Sequence, residues 1–298
     1  MDMVIHTSVI PRSGESVIGK SYSQRIGGKG TNQAVALARL GVKPIMFGSV
    51  GGDACGEEII AELQEEGIVT KHLQILSAHP TGIAFIMLEE QGDNRIIALP
   101  GANLYYDRNK LADLKKYLNH TKLFLLQLEM DSAVIEYAIV MAYEAKVPII
   151  LNPGPICPVS DALIRKIAYL TPNETEAEYL TGVSISNEKD ARKAAEILLD
   201  KGAGNVIITL GSKGALVANA NGFNLIPAYE VSPIDTVAAG DTFNGALAVE
   251  LSRGASLLDA VKFSIAAAAI AVTREGSASS IPYRNEVIRF MQNNKMRS

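Results

Sequence analysis

Asp235-Thr236-Val237-Ala238-Ala239-Gly240-Asp241-Thr242-Phe243-Asn244-Gly245 is the stretch on which the reading of the fold turns. Ala238, Ala239 and Gly240 carry little or no side chain and lead into a helical pattern that runs to about Arg253 and stops at Gly254. A helix start without bulky side chains leaves its first-turn N–H groups open to an anion. Such fixed donors can stabilise charge that develops on a transferring phosphoryl group. Asp241 stands where the donors converge, and a carboxylate there can take the proton from an attacking hydroxyl. A plain helix-start carboxylate, favoured by the helix dipole, would also sit well at this position. Taken alone, the motif leaves both readings open.

Outward from this stretch, short apolar runs alternate with amphipathic ones. Pro44–Val50, Ile83–Glu89, Arg95–Leu99, Leu123–Leu128, Val147–Asn152, Ala168–Thr171, Asn205–Leu210 and Ala215–Asn219 read as strands. Several are continuously apolar, as expected of strands covered on both faces. Val134, Ile135, Ala138, Ile139 and Ala142 recur at helical spacing, which predicts a helix over Ser132–Ala145. A second helix is expected over Asn32–Leu40, capped by Thr31. Gly41 and Gly202 look like C-terminal stops. Alternation of this kind implies βαβ units, a mainly parallel sheet and ligands at the carboxyl ends of its strands. Residues 3–26 and 81–99 break the rhythm, reading as strands without intervening helices. They could form a small β layer that serves as a lid, or a peripheral hairpin without a role.

The chain has 298 residues, of which 48% are hydrophobic and 20% charged, enough apolar mass for a substantial core. One large α/β domain with a flap accounts for the pattern better than two domains. The net charge of −4 argues against nucleic-acid binding through phosphate contacts. The longest apolar run, Ile265–Val272, is far shorter than the ~20 residues of a membrane span. Cys55 and Cys157 are too few for a disulfide framework or a CxxC metal site, which fits a reducing cytoplasm. Gly14-Glu15-Ser16-Val17-Ile18-Gly19-Lys20-Ser21 matches the letters of a P-loop. That loop needs a long helix starting at its Lys-Ser pair. Gly27 and Gly28 follow too soon, so a turn around Pro11–Gly14 followed by a strand is expected instead.

Five further segments accompany the first in a fixed order. They are Gly27-Gly28-Lys29-Gly30-Thr31-Asn32-Gln33-Ala34, Leu151-Asn152-Pro153-Gly154-Pro155, Thr171-Pro172-Asn173-Glu174-Thr175-Glu176, Thr209-Leu210-Gly211-Ser212-Lys213-Gly214 and Ala267-Ala268-Ala269-Ile270-Ala271-Val272-Thr273-Arg274. Together with Asp235–Gly245 they resemble the ribokinase-like (PfkB) carbohydrate kinases over essentially the whole chain. The resemblance implies a three-layer α/β sandwich with a mainly parallel central sheet and a small β lid, as one domain over residues 1–298.

It also implies roles. Asp241 would be the general base, with the N–H groups of Ala239, Gly240 and Asp241 as the anion hole. Asp2, Gly28, Lys29, Gly30, Asn32 and Glu129 would contact the sugar with Asp241. Physically, the glycines let backbone approach a ligand, Asn32 offers a donor and an acceptor, and Glu129 ends an apolar strand. Asn173 would face nucleotide phosphate and Glu176 would order water on Mg²⁺, although Asn173 and Glu176 also have the spacing of a capping box. Thr209, Leu210, Gly211, Ser212, Lys213 and Gly214, with Gly240 and Asp241, would line the ATP site. Asp235, Val237, Ala271, Arg274, Gly276 and Ser280 match positions that hold a monovalent cation, K⁺, largely through carbonyls.

The expected reaction is ATP-dependent phosphorylation of D-ribose at its 5-hydroxyl, by a cytoplasmic homodimer joined through the lid. Kinases of deoxyribose, fructose or nucleosides within the family, and a sugar-binding protein without catalysis, are the alternatives. Two departures stand out. Met1-Asp2 aligns with the end of the family's first strand, and the Asn of the family's Asn-x-Asp motif has no counterpart. Either the true start lies upstream or one strand is lacking, which would leave neighbouring N–H and C=O groups unpaired. Ile265 stands where a polar side chain near the adenine is common.

Overall fold

In a computed structural model of the chain, residues 1–89 and 94–296 are described. The largest sheet has six strands in the order β12 (Gly222–Ile226), β11 (Ala215–Asn219), β10 (Asn205–Thr209), β9 (Tyr169–Leu170), β8 (Ile149–Leu151) and β7 (Phe124–Leu126). The first four in chain order, β7 to β10, are parallel, and β11 and β12 are antiparallel additions. A separate parallel pair is formed by β3 (Ile45–Gly51) and β4 (Val69–Leu76). A third sheet, in the order β2 (Ser21–Arg25), β1 (Asp2–Thr7), β5 (Ile83–Glu89) and β6 (Asn94–Leu99), is built from the two stretches expected to form a lid.

Helices cover both faces of the six-stranded sheet because its strands are apolar on both. Ile149, Leu151, Val206 and Ile208 point into one core with α4 (Ser132–Glu144), α6 (Glu174–Thr181) and α7 (Glu188–Asp200). The alternate residues Ile150 and Ile207 point into the other, with α8 (Ala239–Ser252), α9 (Leu257–Ala271) and α10 (Arg284–Asn293). This is the period-two alternation of a strand buried on both sides. A third core, under the lid, joins Met1, Met3 and Val50 to α1 (Lys29–Arg39) and α2 (Ala54–Glu65). The short helices α3 (Lys115–Leu118) and α5 (Asp161–Ile164) complete the first layer.

Several expectations change. The main sheet is divided, since β3 and β7 are not paired with each other and no strand lies between them among the described residues. The helix after the glycine turn begins at Lys29, not Asn32, and Thr31 does not cap it. The cap position is Gly28, at φ 93°, where a side chain would be strained. Lys29, Gly30 and Asn32 therefore sit in the first turn of α1. The strands β4 and β12 were not expected: β4 mixes Lys71, His72 and Gln74 with apolar residues, and β12 is short and half-exposed. The segment after Lys20 is a strand with a turn at Arg12–Glu15 before it, so the P-loop letters carry no P-loop geometry.

Candidate active site

The amino end of α8 is set by Ala238, a non-glycine residue in left-handed conformation at φ 60°. That conformation costs about 1 kcal/mol or more and persists only where its surroundings enforce it. Ala239 donates its N–H to the Thr236 carbonyl at 3.3 Å. The N–H groups of Gly240 and Asp241 have no partner among the described residues. A Cβ built on Gly240 would meet nothing within 4 Å, so this first turn faces open space.

Asp241 points the other way, toward α1. The residue is 6% exposed, and its carboxylate accepts from Asn32 Nδ2 at 2.9 Å and Gln33 Nε2 at 3.0 Å. It makes no ion pair among the described residues. Burial raises its carboxyl above the usual aspartate range, against the opposing pull of the Lys29 charge and the two amide bonds. A raised, still hydrogen-bonded carboxylate is a better proton acceptor than an exposed one. Asn32 gives an amide N–H to Asp241, and its buried Oδ1 has no partner among the described residues.

Four of the expected sugar contacts, Asp2, Gly28, Gly30 and Glu129, line a cavity of about 310 Å³ under the lid with Gly82, Ala98 and Asn103, whereas Lys29, Asn32 and Asp241 are not among its lining residues. Glu129 accepts the Lys29 backbone N–H at 3.0 Å, and burial raises its carboxyl as well. Asp2 is buried and accepts from Ser277 Oγ at 2.7 Å. The Lys29 side chain reaches past Gly154 toward Glu176, and its charge pulls down the carboxyl groups of Glu129, Glu176 and Asp241 alike.

On the far side of α8, Asn173 and Thr209 are joined in a β-bridge. Asn173 and Glu176 form a complete capping box at the start of α6, with bonds of 2.8 and 2.9 Å. Burial raises the Glu176 carboxyl. Leu210 is buried in the core, while Gly211, Ser212 and Lys213 are exposed and Gly214 makes the return turn at φ 105°. Lys213 lies 3.5 Å from Glu174. Ile265 is packed in the core at 6% exposure.

The residues expected around a monovalent cation are partly brought together. Asp235 accepts from the N–H groups of Val237 at 3.0 Å and Gly276 at 3.1 Å, and lies 3.4 Å from the Arg25 guanidinium on β2. The Ala271 carbonyl accepts from the Arg274 N–H, and the Arg274 guanidinium turns away to Glu286 at 2.5 Å. Ser280 is buried and donates to the Ser277 carbonyl.

The profile of the pfkB family carbohydrate kinases matches residues 1–284. The chain belongs to the pfkB family of carbohydrate kinases. It is 40% identical over 291 residues to a ribokinase of Haemophilus influenzae, a match that covers 98% of this chain and 95% of that protein. Its fold is similar to that of a Thermotoga maritima ribokinase, with a TM-score of 0.89, 37% identity, and 98% and 96% of the two chains covered. It is also similar to an Arabidopsis thaliana ribokinase solved with ribose and ATP, with a TM-score of 0.91, 30% identity, and 97% and 95% covered.

Within this pfkB kinase, a buried polar network runs along the strand ends to Asp241, and the sequence reading gave no role to its members Gln33, Gln127, Asn152, Thr171 and Asn244. Gln33 bonds Asp241, Gln127 and Asn152; Asn152 bonds the Thr171 carbonyl; the Thr171 hydroxyl bonds Asn244, whose amide returns to the Gly240 carbonyl. Gln127, Asn152 and Thr171 directly follow β7, β8 and β9. Polar residues at the carboxyl ends of apolar runs were the available signal.

Proposed function

We propose that this pfkB carbohydrate kinase transfers the γ-phosphoryl group of ATP to the 5-hydroxyl of D-ribose, as one kinase domain over residues 1–298 with lid strands from about 3–26 and 81–99. The observation that carries the mechanism is the Asp241 carboxylate. It is buried, free of any ion pair among the described residues, held by two side-chain amides, and placed one residue after a helix turn whose N–H groups are open. Asp241 accepts the hydroxyl proton while the N–H groups of Gly240 and Asp241 stabilise charge on the phosphoryl group. Asn32 Oδ1, which has no partner among the described residues, accepts from a sugar hydroxyl. Asp2, Gly28, Lys29, Gly30 and Glu129 complete the sugar cavity, and the lid sheet excludes water. Most of the rate enhancement is positioning and electrostatics, as in phosphoryl transfer generally.

Asn173, Glu176 and the Thr209–Gly214 turn hold the nucleotide. Glu176 offers a buried carboxylate next to the phosphate side, which suits the water shell of a hard cation, Mg²⁺; that ion would neutralise phosphate charge. Asp235 and the carbonyls around Val237, Ala271, Arg274, Gly276 and Ser280 supply hard oxygen donors of the kind K⁺ takes. Because the Asp235 carboxylate is already engaged by two N–H groups and Arg25, carbonyl oxygens would carry most of that site. Phe85 and its strand partner Ile97, with Leu99 and Tyr22, leave apolar lid surface exposed, which supports pairing of two copies through the lid. A cytoplasmic location agrees with the free thiols of Cys55 and Cys157. No helix among the described residues is long and apolar enough to cross a membrane.

The test is ribose-dependent ADP release by Asp241→Asn, read with ribose binding by calorimetry. Turnover falls about 100-fold or more while binding stays within a few-fold. Near-normal turnover would remove Asp241 from the role of base.

A further inference from the structure

Asn244 interrupts an apolar stretch of α8. Phe243, Ala246, Leu247, Ala248 and Val249 around it belong to the core shared with α9, and Asn244 itself is 2% exposed. Burying an amide costs free energy unless its atoms are bonded, and here both ends are. Nδ2 donates to the Gly240 carbonyl at 2.8 Å, and Oδ1 accepts from the Thr171 hydroxyl at 2.6 Å. The direction of these bonds follows from chemistry. A carbonyl only accepts, so the amide nitrogen must face Gly240; the amide oxygen then faces Thr171, whose hydroxyl must donate.

The Gly240 C=O and the Asp241 N–H belong to one planar peptide unit. A bond that fixes the carbonyl therefore fixes the direction of the N–H, one of the two that have no partner among the described residues. The turn that carries it needs such support, because Ala238 holds a left-handed conformation at φ 60° just before it. Thr171 is itself anchored. It directly follows β9, its N–H donates to the Leu151 carbonyl at 2.9 Å, and its carbonyl accepts from Asn152 Nδ2 at 3.3 Å. Asn152 Oδ1 accepts from Gln33 Nε2 at 3.4 Å, and the same nitrogen donates to Asp241 Oδ1. The bonds form a closed ring that leaves Asp241 by its carboxylate and returns to it through its own peptide. Gln33, Asn152, Thr171 and Asn244 are all buried.

We propose that Asn244, oriented by the Thr171 hydroxyl, is a positioning residue for phosphoryl transfer. Through the Gly240 carbonyl it aims the Asp241 N–H at the transferring group, while the Gln33 arm of the ring holds the Asp241 carboxylate. The base and the anion donor are thereby set relative to each other by the ends of β8 and β9, which are rigid parts of the scaffold. This inference rests on the proposed role of Asp241 and its N–H group.

The test compares Asn244→Leu, Thr171→Val, the double variant, and Thr171→Ser, which keeps the hydroxyl. Ribose phosphorylation is read in a single turnover, ribose and ADP binding by calorimetry, and folding by thermal unfolding. Val287→Ala, a buried change on α10 outside the ring, reports what lost stability alone does. Asn244→Leu should slow transfer at least tenfold and Thr171→Val about three- to tenfold, with both ligands bound within threefold of the unchanged protein. The double variant should be no slower than Asn244→Leu, since both side chains act through one carbonyl. Thr171→Ser and Val287→Ala should stay within twofold. Unchanged transfer in Asn244→Leu, losses that multiply in the double variant, or a loss matched by Val287→Ala overturns the proposal. If Asn244→Leu does not fold, the Thr171 pair decides, and equal rates for its Val and Ser variants overturn it. Asp241→Asn separates the two levels: near-normal turnover there removes the reading on which this one rests, whereas an inactive Asp241→Asn beside a fully active Asn244→Leu removes only the positioning role.

Discussion

Gln33→Met tests whether the amide beside Asp241 tunes the base. The substitution keeps the side-chain volume of a residue that is 1% exposed and removes its bond to Asp241 Oδ1, 3.0 Å long. A hydrogen bond to a charged group is worth about 1.5–3 kcal/mol. It favours the ionised carboxylate, so its loss raises the Asp241 carboxyl further above its already raised position. At about 1.4 kcal/mol per pH unit, the rise is about one to two units. Only the ionised form accepts a proton, so activity disappears as pH falls through that value, and the acidic limb of kcat/KM moves to higher pH by the same amount. On that limb the rate falls about ten- to a hundredfold, with a smaller loss on the alkaline side. Stability follows a second sign. A carboxyl whose folded value lies above its unfolded one costs stability as pH rises through the folded value. The deficit of the variant should thus be larger at pH 7 than at pH 4, on top of about 1–3 kcal/mol for Gln127, whose amide loses its acceptor. The assay is ADP release against pH, with thermal unfolding at both pH values. An acidic limb that stays in place, or shifts downward, refutes the coupling.

Gly240→Ala adds a methyl group into open space at the first turn of α8. Stability should hold or rise by about 0.5–1 kcal/mol while ADP release drops at least tenfold, since the methyl intrudes where phosphate would lie; unchanged turnover would separate this turn from the phosphoryl group. Asn32→Ala removes both the Asp241 contact and the unpartnered Oδ1. The KM for ribose should rise about tenfold or more with that for ATP little changed, and equal shifts in both would count against a sugar contact. Glu176→Ala breaks the capping box of α6, which costs about 1 kcal/mol by thermal unfolding. Its apparent ATP affinity should weaken more than its ribose affinity, and an unchanged ATP KM would leave Glu176 a purely structural cap.

Much of this protein is written locally. The small residues before α8, the Asn173–Glu176 box and the apolar runs of β8 and β10 all follow from near-neighbour chemistry. So their positions could be read from residue order. The two stretches that build the four-stranded lid sheet were visible too, as strand-like segments without a helix between them. The tertiary structure decided what lies far apart in the chain. Asp241 depends on Asn32 and Gln33, more than two hundred residues away, so its protonation and direction belong to the packing of α1 against α8. That packing also turned an Asn32 amide donor inward. The division between β3 and β7 has the same origin: an apolar run specifies a strand, but hydrogen bonds between strands specify a sheet, and no local pattern states which edges will meet.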